Sequence, residues 1–274
     1  MASTCPVFFV SDHTGITAEI VGKSLLTQFP GEAFAYSSLP FVDTREKAEE
    51  AVGRIQAAAR ASGRRPLVFS TLTDAGIRAC FAACDALVID LFGHFIALLS
   101  AELGRQPVAR RGSLHGMEDV GAYHARIDAL NFTLATDDGL GVERYDRADL
   151  ILLGVSRSGK TPTALYLAMQ YGLHVANHPL TPEDFERPGL PVALAPHRAK
   201  LRGLTLSAER LAQIRAKRKP GSRYASLKTC REELRAAEAL MQAEGIPYID
   251  ITDRSVEEIA TLLKLSIPPT SRSG

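Results

Sequence analysis

Eight consecutive residues near the middle of the chain have the types and spacing of a phosphate-binding loop. They follow the pattern G-x-x-x-x-G-K-T and are Gly154, Val155, Ser156, Arg157, Ser158, Gly159, Lys160 and Thr161. Glycines at both ends let backbone N–H groups turn toward phosphate oxygens, and a following helix adds the partial positive charge of its N-terminus. Lys160 would reach the phosphate nearest the reaction, and the Thr161 hydroxyl would hold Mg²⁺. The segment therefore predicts the binding of a phosphate chain.

The residues on both sides of this loop are those that the mechanism requires. Residues 150–153 are apolar and predict a buried strand, and residues 162–169 predict a helix. A glycine-rich turn with one exposed lysine is the alternative interpretation of the same pattern. Pro162 is unusual, because the residue after the threonine normally offers an amide and proline has none. We therefore expect the phosphate chain to be seated differently from that of an ordinary nucleoside triphosphatase.

A second strand–turn–helix pattern lies near the N-terminus, at residues 6–29. The turn contains Ser11, Asp12, Thr14 and Gly15. In α/β proteins, ligands bind where the carboxyl end of a strand meets the start of a helix. Asp12 is thus a candidate base or metal partner, and Ser11, Thr14 and Gly15 form a candidate second phosphate site. The alternative is that these residues only cap a helix, which Asp and Thr often do.

The sequence offers alternatives for two further elements of a phosphate-transfer site, a basic lid and a metal-binding acid. A basic segment follows the loop at Arg215, Lys217, Arg218, Lys219 and Arg223. It could act as a lid over the phosphoryl groups, or it could be a solvated helix end. An acid should also accompany the loop to bind Mg²⁺. Asp90 and Asp250 are candidates because each ends an apolar run, although both could instead cap helices.

Composition predicts a globular protein with no global preference for a polyanion. The 274 residues suit one large domain or two modest ones. The formal charge of +1 gives no attraction toward nucleic acid or a membrane surface. No stretch approaches the roughly 20 apolar residues that span a bilayer, and the N-terminus lacks the basic region of a signal peptide. The four cysteines form no disulfide or zinc pattern and are expected to be reduced thiols. We therefore expect a cytoplasmic protein.

Strand and helix patterns alternate along the chain, which predicts an α/β fold with mostly parallel sheets and flanking helices. A capping box is expected at Asp43 and Glu46, and another at Ser255 and Glu258. We expect two domains, an N-terminal α/β domain over residues 1–145 and a kinase-like domain with the phosphate loop over residues 146–274. An exposed connection is expected at residues 104–116, and a disordered tail from residue 268.

The motifs together resemble those of a known family, the pyruvate, phosphate/water dikinase regulatory proteins. The resemblance lies in residues 8–19, 151–169, 222–227 and 255–261. These blocks span nearly the whole chain and are far more specific than the loop alone. The Gly159-Lys160 pair resembles the branch of the family that acts on phosphoenolpyruvate synthase.

This resemblance implies a bifunctional enzyme. Such proteins phosphorylate a threonine of their target with ADP as donor, and they remove that phosphate by attack of inorganic phosphate, which releases pyrophosphate. The implied partner is phosphoenolpyruvate synthase, and the family also suggests a homodimer. Lys160, Arg157, Thr161 and Mg²⁺ would then stabilise the moving phosphoryl group. Asp12 is the candidate base or orienting carboxylate.

Two other classes of protein fit the loop. A small-molecule kinase would transfer phosphate from ATP to a metabolite, and a nucleotide sensor would bind without transfer. In many small-molecule kinases the loop lies near the start of the chain, whereas about 150 residues precede it here.

Overall fold

The chain forms two compact units, Met1–Glu118 and Asp119–Gly274. The computed structural model describes residues 4–107 and 120–267. Our sequence-based division lay after residue 145. In the structure, the helix at Val120–Ala135 packs on the helix at Lys160–Tyr171 and on the strand at Val175–Pro179, so it is grouped with the second unit. The predicted connection is described only as far as residue 107, and the predicted tail lies outside the described residues.

The first unit is a four-stranded parallel sheet with helices on both faces. Its strands have the order β2-β1-β3-β4. The elements are β1 Cys5–Val10, α1 Ile16–Leu26, β2 Phe34–Leu39, α2 Arg45–Ser62, β3 Leu67–Ser70, α3 Ala75–Ala79, β4 Leu87–Asp90 and α4 Leu91–Leu103. Alternate residues of β1 pack on opposite sides, because Phe8 and Val10 contact the α2 side whereas Val7 and Phe9 contact the α1 side.

The second unit repeats this arrangement with the strand order β6-β5-β7-β8. All three strand pairs are parallel. The elements are α5 Val120–Ala135, β5 Leu150–Gly154, α6 Lys160–Tyr171, β6 Val175–Pro179, α7 Pro182–Phe185, β7 Leu201–Thr205, α8 Ala208–Arg218, α9 Leu227–Ala243, β8 Tyr248–Asp250 and α10 Val256–Leu265. Short 3₁₀ segments occur at Asp137–Gly139, Val142–Arg147, Ala195–Lys200 and Arg223–Ala225.

The apolar run of β5 explains why this strand is central. Ile151 and Leu153 pack on α8 and α9. Leu150 and Leu152 pack on α6 and α10. A strand buried on both faces needs a continuous apolar sequence rather than an alternating one. The predicted parallel α/β fold with flanking helices is confirmed in both units.

Several local predictions are confirmed, and others need correction. Ser255 and Glu258 form the expected capping box of α10. The box predicted at Asp43 and Glu46 is wrong, because α2 begins at Arg45 and Thr44 is therefore its capping residue, accepting a hydrogen bond from the amide of Lys47. The apolar residues 192–194 would allow a short strand, but they form a turn that leads into the 3₁₀ segment Ala195–Lys200.

The four cysteines are free thiols, as expected. Throughout residues 4–107 and 120–267, every helix is too short or too polar to cross a bilayer.

Candidate phosphate-binding site

The phosphate loop, defined here as residues 154–161, joins the carboxyl end of β5 to the first turn of α6. Strand β5 lies between β6 and β7, so the chain leaves the sheet at the point where neighbouring connections run in opposite directions. This is where open parallel sheets bind ligands. Helix α6 begins at Lys160, and in the described structure no side chain caps it. Its first amides are thus available to an anion.

The backbone of the loop takes conformations that explain its glycines. Gly154 has φ 152°, and a Cβ there would lie 2.5 Å from the carbonyl oxygen of Leu204. Gly159 has φ 75° and is the N-terminal cap of α6. Arg157 also lies in the left-handed region, with φ 73°. This conformation is unfavourable for a residue with a Cβ, and such residues concentrate at functional sites.

Lys160 is held inside the loop. The residue is only 5 % exposed, and its Nζ donates hydrogen bonds to the carbonyl oxygens of Gly154 and Val155, both at 3.0 Å. Burial lowers the pKa of Lys160 to about 8, and the nearby carboxylates of Asp138 and Asp137 partly oppose this shift. The ammonium group is therefore poised at the loop, where a phosphate would replace the carbonyl oxygens as its partner.

The acid beside the loop is Asp137. Thr161 Oγ1 donates to Asp137 Oδ1 at 2.9 Å, and the side-chain amide of Asn177 donates to the same oxygen. Asn177 Oδ1 in turn accepts from the amide of Asp138 at 3.0 Å, which fixes the turn after α5 against β6. A threonine hydroxyl beside a carboxylate offers the oxygen ligands that Mg²⁺ prefers. The two residues thus fit the metal expected at such a loop.

The acids proposed from the sequence have other roles. Asp90 caps α4 by accepting from the amide of Gly93 at 2.8 Å, and it pairs with Arg78. Asp250 Oδ1 accepts from the amide and hydroxyl of Thr252. In the sequence, Asp137 and Asp138 precede a glycine and indicate only a turn that ends a helix. The available signal was a pair of adjacent acids shortly before the loop strand.

A cavity of about 680 Å³ opens beside the loop. It is lined by Asp137, Asp138, Ser156, Arg157, Gly159, Lys160, Thr161, Pro162, Ile214, Arg218 and Ile251. One wall is therefore the cationic loop, another carries two carboxylates, and the rest is partly apolar. Such a mixture suits a phosphate chain with an attached organic group.

The basic segment does not act as a unit. Arg215 is buried and forms an ion pair with Glu233, so it is neither a lid residue nor part of a solvated helix end. Arg218 lines the cavity. Lys217, Lys219 and Arg223 are exposed and line no part of it.

The candidate residues of the first unit surround the end of β1. Asp12 is buried, and its Oδ2 accepts from the amide of Thr73 at 2.9 Å and from the Thr73 hydroxyl at 2.6 Å. Ser11 Oγ accepts from the amide of His13, and Gly15 is the N-terminal cap of α1 with φ 79°. Asp12 thus fastens the loop after β3 rather than capping α1. Its role as a base, and a second phosphate site at Ser11, Thr14 and Gly15, stay predictions.

Two histidines of the second unit have side-chain partners outside the cavity. The hydroxyl of Tyr145 lies 3.1 Å from His178 Nδ1, and His174 Nε2 lies 2.9 Å from Asp128 Oδ2. Among the described residues, no three His, Cys, Asp or Glu side chains group as a metal site. A metal at Thr161 and Asp137 would therefore take further oxygen ligands from phosphate or water.

The parallel sheets, the glycine-bounded turn at the end of a central strand and the buried lysine define an α/β protein with a candidate phosphate-binding loop. The sequence pattern of the kinase/pyrophosphorylase family matches residues 7–263. The chain belongs to this family.

Relatives of known sequence are similar over nearly their whole length. A protein from Thiobacillus denitrificans is 54 % identical over 260 residues, which cover 95 % of this chain and 98 % of the relative. One from Alcanivorax borkumensis is 51 % identical over 254 residues, and they cover 93 % of each chain. Both relatives are named, provisionally, phosphoenolpyruvate synthase regulatory proteins.

Proposed function

We propose that this protein is a bifunctional protein kinase and phosphorylase that regulates phosphoenolpyruvate synthase. The observation that carries the proposal is the convergence of Lys160, Thr161 and Asp137 at one cavity in a chain of the kinase/pyrophosphorylase family. The names of the relatives support the choice of target. A cytoplasmic location is part of this proposal.

In the kinase direction, the hydroxyl oxygen of a target threonine attacks the β-phosphorus of ADP. The bond from that phosphorus to the bridging oxygen breaks, AMP leaves, and the hydroxyl proton passes to a base. The loop amides and Lys160 hold the β-phosphate, and Arg157 adds a second positive charge at the cavity wall. Phosphoryl transfer depends chiefly on such positioning and charge stabilisation.

In the phosphorylase direction, an oxygen of inorganic phosphate attacks the phosphorus of the phosphothreonine. The bond from phosphorus to the threonine oxygen breaks, the threonine recovers a proton, and pyrophosphate leaves. Pyrophosphate occupies the same two-phosphate space as the end of ADP, so one cavity can serve both reactions. Arg218 also lines the cavity, and it is suited to the second phosphate because none of the ion pairs in the described structure involves it.

The residues that would hold Mg²⁺ are Thr161, through its hydroxyl, and Asp137, through its carboxylate. When bound, the metal neutralises charge on the phosphate oxygens. Pro162 lines the same cavity without an amide to donate. We therefore propose a phosphate chain seated differently from that of ordinary nucleoside triphosphatases, and a nucleotide complex with the usual triphosphate register would refute this.

The test mixes the protein with purified phosphoenolpyruvate synthase and compares ADP with ATP, each labelled in its terminal phosphate. We expect label on a threonine of the synthase with ADP only, and release of labelled pyrophosphate when inorganic phosphate is added later. Incorporation from ATP alone would contradict the proposal and favour an ordinary kinase. Nucleotide binding without incorporation from either donor would favour a sensor.

A further inference from the structure

A buried arginine lies directly behind the phosphate loop. The side chain of Arg215, on α8, is 0 % exposed. Its Nε and Nη2 donate to the carbonyl oxygen of Ser156 at 3.3 and 3.0 Å. Nη2 also lies 2.6 Å from the carboxylate of Glu233 on α9. The main chain of the loop is therefore held by a buried side chain that does not line the cavity.

Tyr224 holds the same loop residue by its side chain. Its hydroxyl lies 2.9 Å from Ser156 Oγ. Arg215 links the two contacts, because its Nη1 donates to the carbonyl oxygen of Tyr224 at 3.1 Å and its guanidinium carbon lies 4.1 Å from the centre of the Tyr224 ring. Ser156 is thus held twice, once at its carbonyl and once at its hydroxyl.

A role in stability alone does not explain this arrangement. Burying a guanidinium group costs free energy that its ion pair only partly recovers, and apolar residues often serve stability as well or better. Here the donors of Arg215 are used on the main chain of the loop, next to Arg157 with its unfavourable φ of 73°. A conformation of this kind persists only when its surroundings hold it.

We propose that Arg215 and Tyr224 are positioning residues that fix Ser156, so that the loop amides are arranged for a phosphate chain before it binds. Neither residue lines the cavity. An ordered loop reduces the entropy lost on binding, so both residues strengthen affinity without touching the ligand. Only the identity of the ligand, ADP or pyrophosphate, rests on the proposed function.

The first experiment measures the Kd of ADP and of pyrophosphate by calorimetry for Arg215→Lys, beside its thermal unfolding. Lysine keeps the positive charge opposite Glu233 but loses the forked contact with Ser156 and Tyr224. We expect a lower unfolding midpoint, because buried carbonyl oxygens lose donors, and, at a temperature where the variant is folded, a Kd about tenfold higher, the equivalent of one or two hydrogen bonds. A Kd equal to that of the unchanged protein would overturn the proposal.

A second, milder pair of variants keeps the proposal testable if Arg215→Lys does not fold. Tyr224→Phe removes one hydroxyl, and Ser156→Ala removes its partner. We expect Tyr224→Phe to raise the Kd about threefold, and we expect no further increase from it in the Ser156→Ala background, because the two hydroxyls act through each other. Equal effects in both backgrounds, or none in either, would show that Tyr224 does not act through Ser156.

The matched control is Arg231→Met. Arg231 pairs with Glu209 at 2.7 Å, on the exposed side of the same two helices, α8 and α9. We expect an unchanged Kd, and an effect as large as that of Arg215→Lys would mean that the helix pair rather than the loop contact matters. If the unchanged protein binds neither ligand, the proposed function fails instead.

Discussion

The two strand–loop–helix junctions of this protein have similar backbone geometry, but their side chains differ in chemistry. In the first, β1 ends at Val10 and α1 begins at Ile16. In the second, β5 ends at Gly154 and α6 begins at Lys160. Both intervening turns have five residues, and both end on a left-handed glycine, with φ 79° and ψ 0° at Gly15 and φ 75° and ψ 7° at Gly159.

The difference begins at the residue after the glycine. Ile16 is 49 % exposed, whereas Lys160 is 5 % exposed and hydrogen-bonded to the loop carbonyls. The carboxylate of the first turn, Asp12, is occupied by Thr73. The carboxylate beside the second, Asp137, comes from a separate turn and meets Thr161. The fold thus supplies the same open helix end twice, and side chains from neighbouring elements decide what it can bind.

The most severe test of this comparison is Lys160→Ala. Because one ammonium group is expected to serve both reactions, we predict that phosphorylation of the synthase and phosphorolysis both fall by about a thousandfold. The two rates are measured separately with the label described above. Ile16→Ala, at the equivalent position of the first junction, is the control and should change neither rate. Phosphorolysis that survives in Lys160→Ala would mean two separate sites.

Asp137→Asn tests the acid that the structure places beside Thr161. The amide keeps an oxygen for the Thr161 hydroxyl but loses the charge that a metal ion needs, so we expect activity to fall about a hundredfold and to need more Mg²⁺. The measurement is the rate as a function of Mg²⁺ concentration. Asp90→Asn and Asp250→Asn should retain the Mg²⁺ dependence of the unchanged protein. A shifted dependence in either variant would indicate that the residue binds the metal after all.

Asp12→Asn separates the two possible roles of the first junction. The hypothesis of a base or orienting carboxylate predicts a loss of activity of roughly a hundredfold, at the lower end of what proton transfer contributes. The unfolding midpoint should shift little, because asparagine keeps an oxygen that accepts from Thr73. Full activity combined with a lower unfolding midpoint would show that Asp12 only stabilises the loop after β3.

Local sequence determined much of this fold and the centre of the site. The apolar run at residues 150–153 predicted β5, and the motif predicted the loop, because both signals lie within a few consecutive residues. Caps were predicted well where the helix start was evident, as at Ser255, and wrongly at Asp43, where a shift of one residue gives the role to Thr44.

Contacts that depend on tertiary packing could not be predicted from the sequence. Asp137 lies 24 positions before its partner Thr161, and a pair of acids in a turn does not show which helix it faces. The burial of Arg215 was also missed, because its partners Ser156 and Glu233 lie 59 and 18 positions away. A basic residue near a helix end normally indicates solvent exposure.

The glycines at the equivalent positions of the two junctions, Gly15 and Gly159, allow a direct comparison with a smaller expected effect. Gly15→Ala and Gly159→Ala each place a Cβ on a left-handed residue, so each should lower the free energy of unfolding by about 1–2 kcal/mol. The Cβ at Gly159 would also lie 3.0 Å from Ile251 Cδ1, a side-chain atom that can shift. Only Gly159→Ala should weaken ADP binding, measured by calorimetry. Weaker binding in Gly15→Ala as well would show that the first junction contributes to the nucleotide site.

The smallest expected effect is the dependence of stability and of ADP binding on pH. Lys160 can cause it at the second junction, whereas Ile16, at the equivalent position of the first, does not titrate. Burial lowers the pKa of Lys160 from 10.5 to about 8 in the folded protein. Between these pH values the unfolded chain binds more protons at Lys160 than the folded protein does, so the contribution of Lys160 to the free energy of unfolding rises with pH.

Phosphate binding follows the opposite trend, because it requires the charged form of Lys160. The Kd of ADP should therefore increase about fourfold from pH 7 to 8.5. In Lys160→Met both trends should vanish, and parallel pH profiles of the variant and the unchanged protein would show that Lys160 does not titrate in this range.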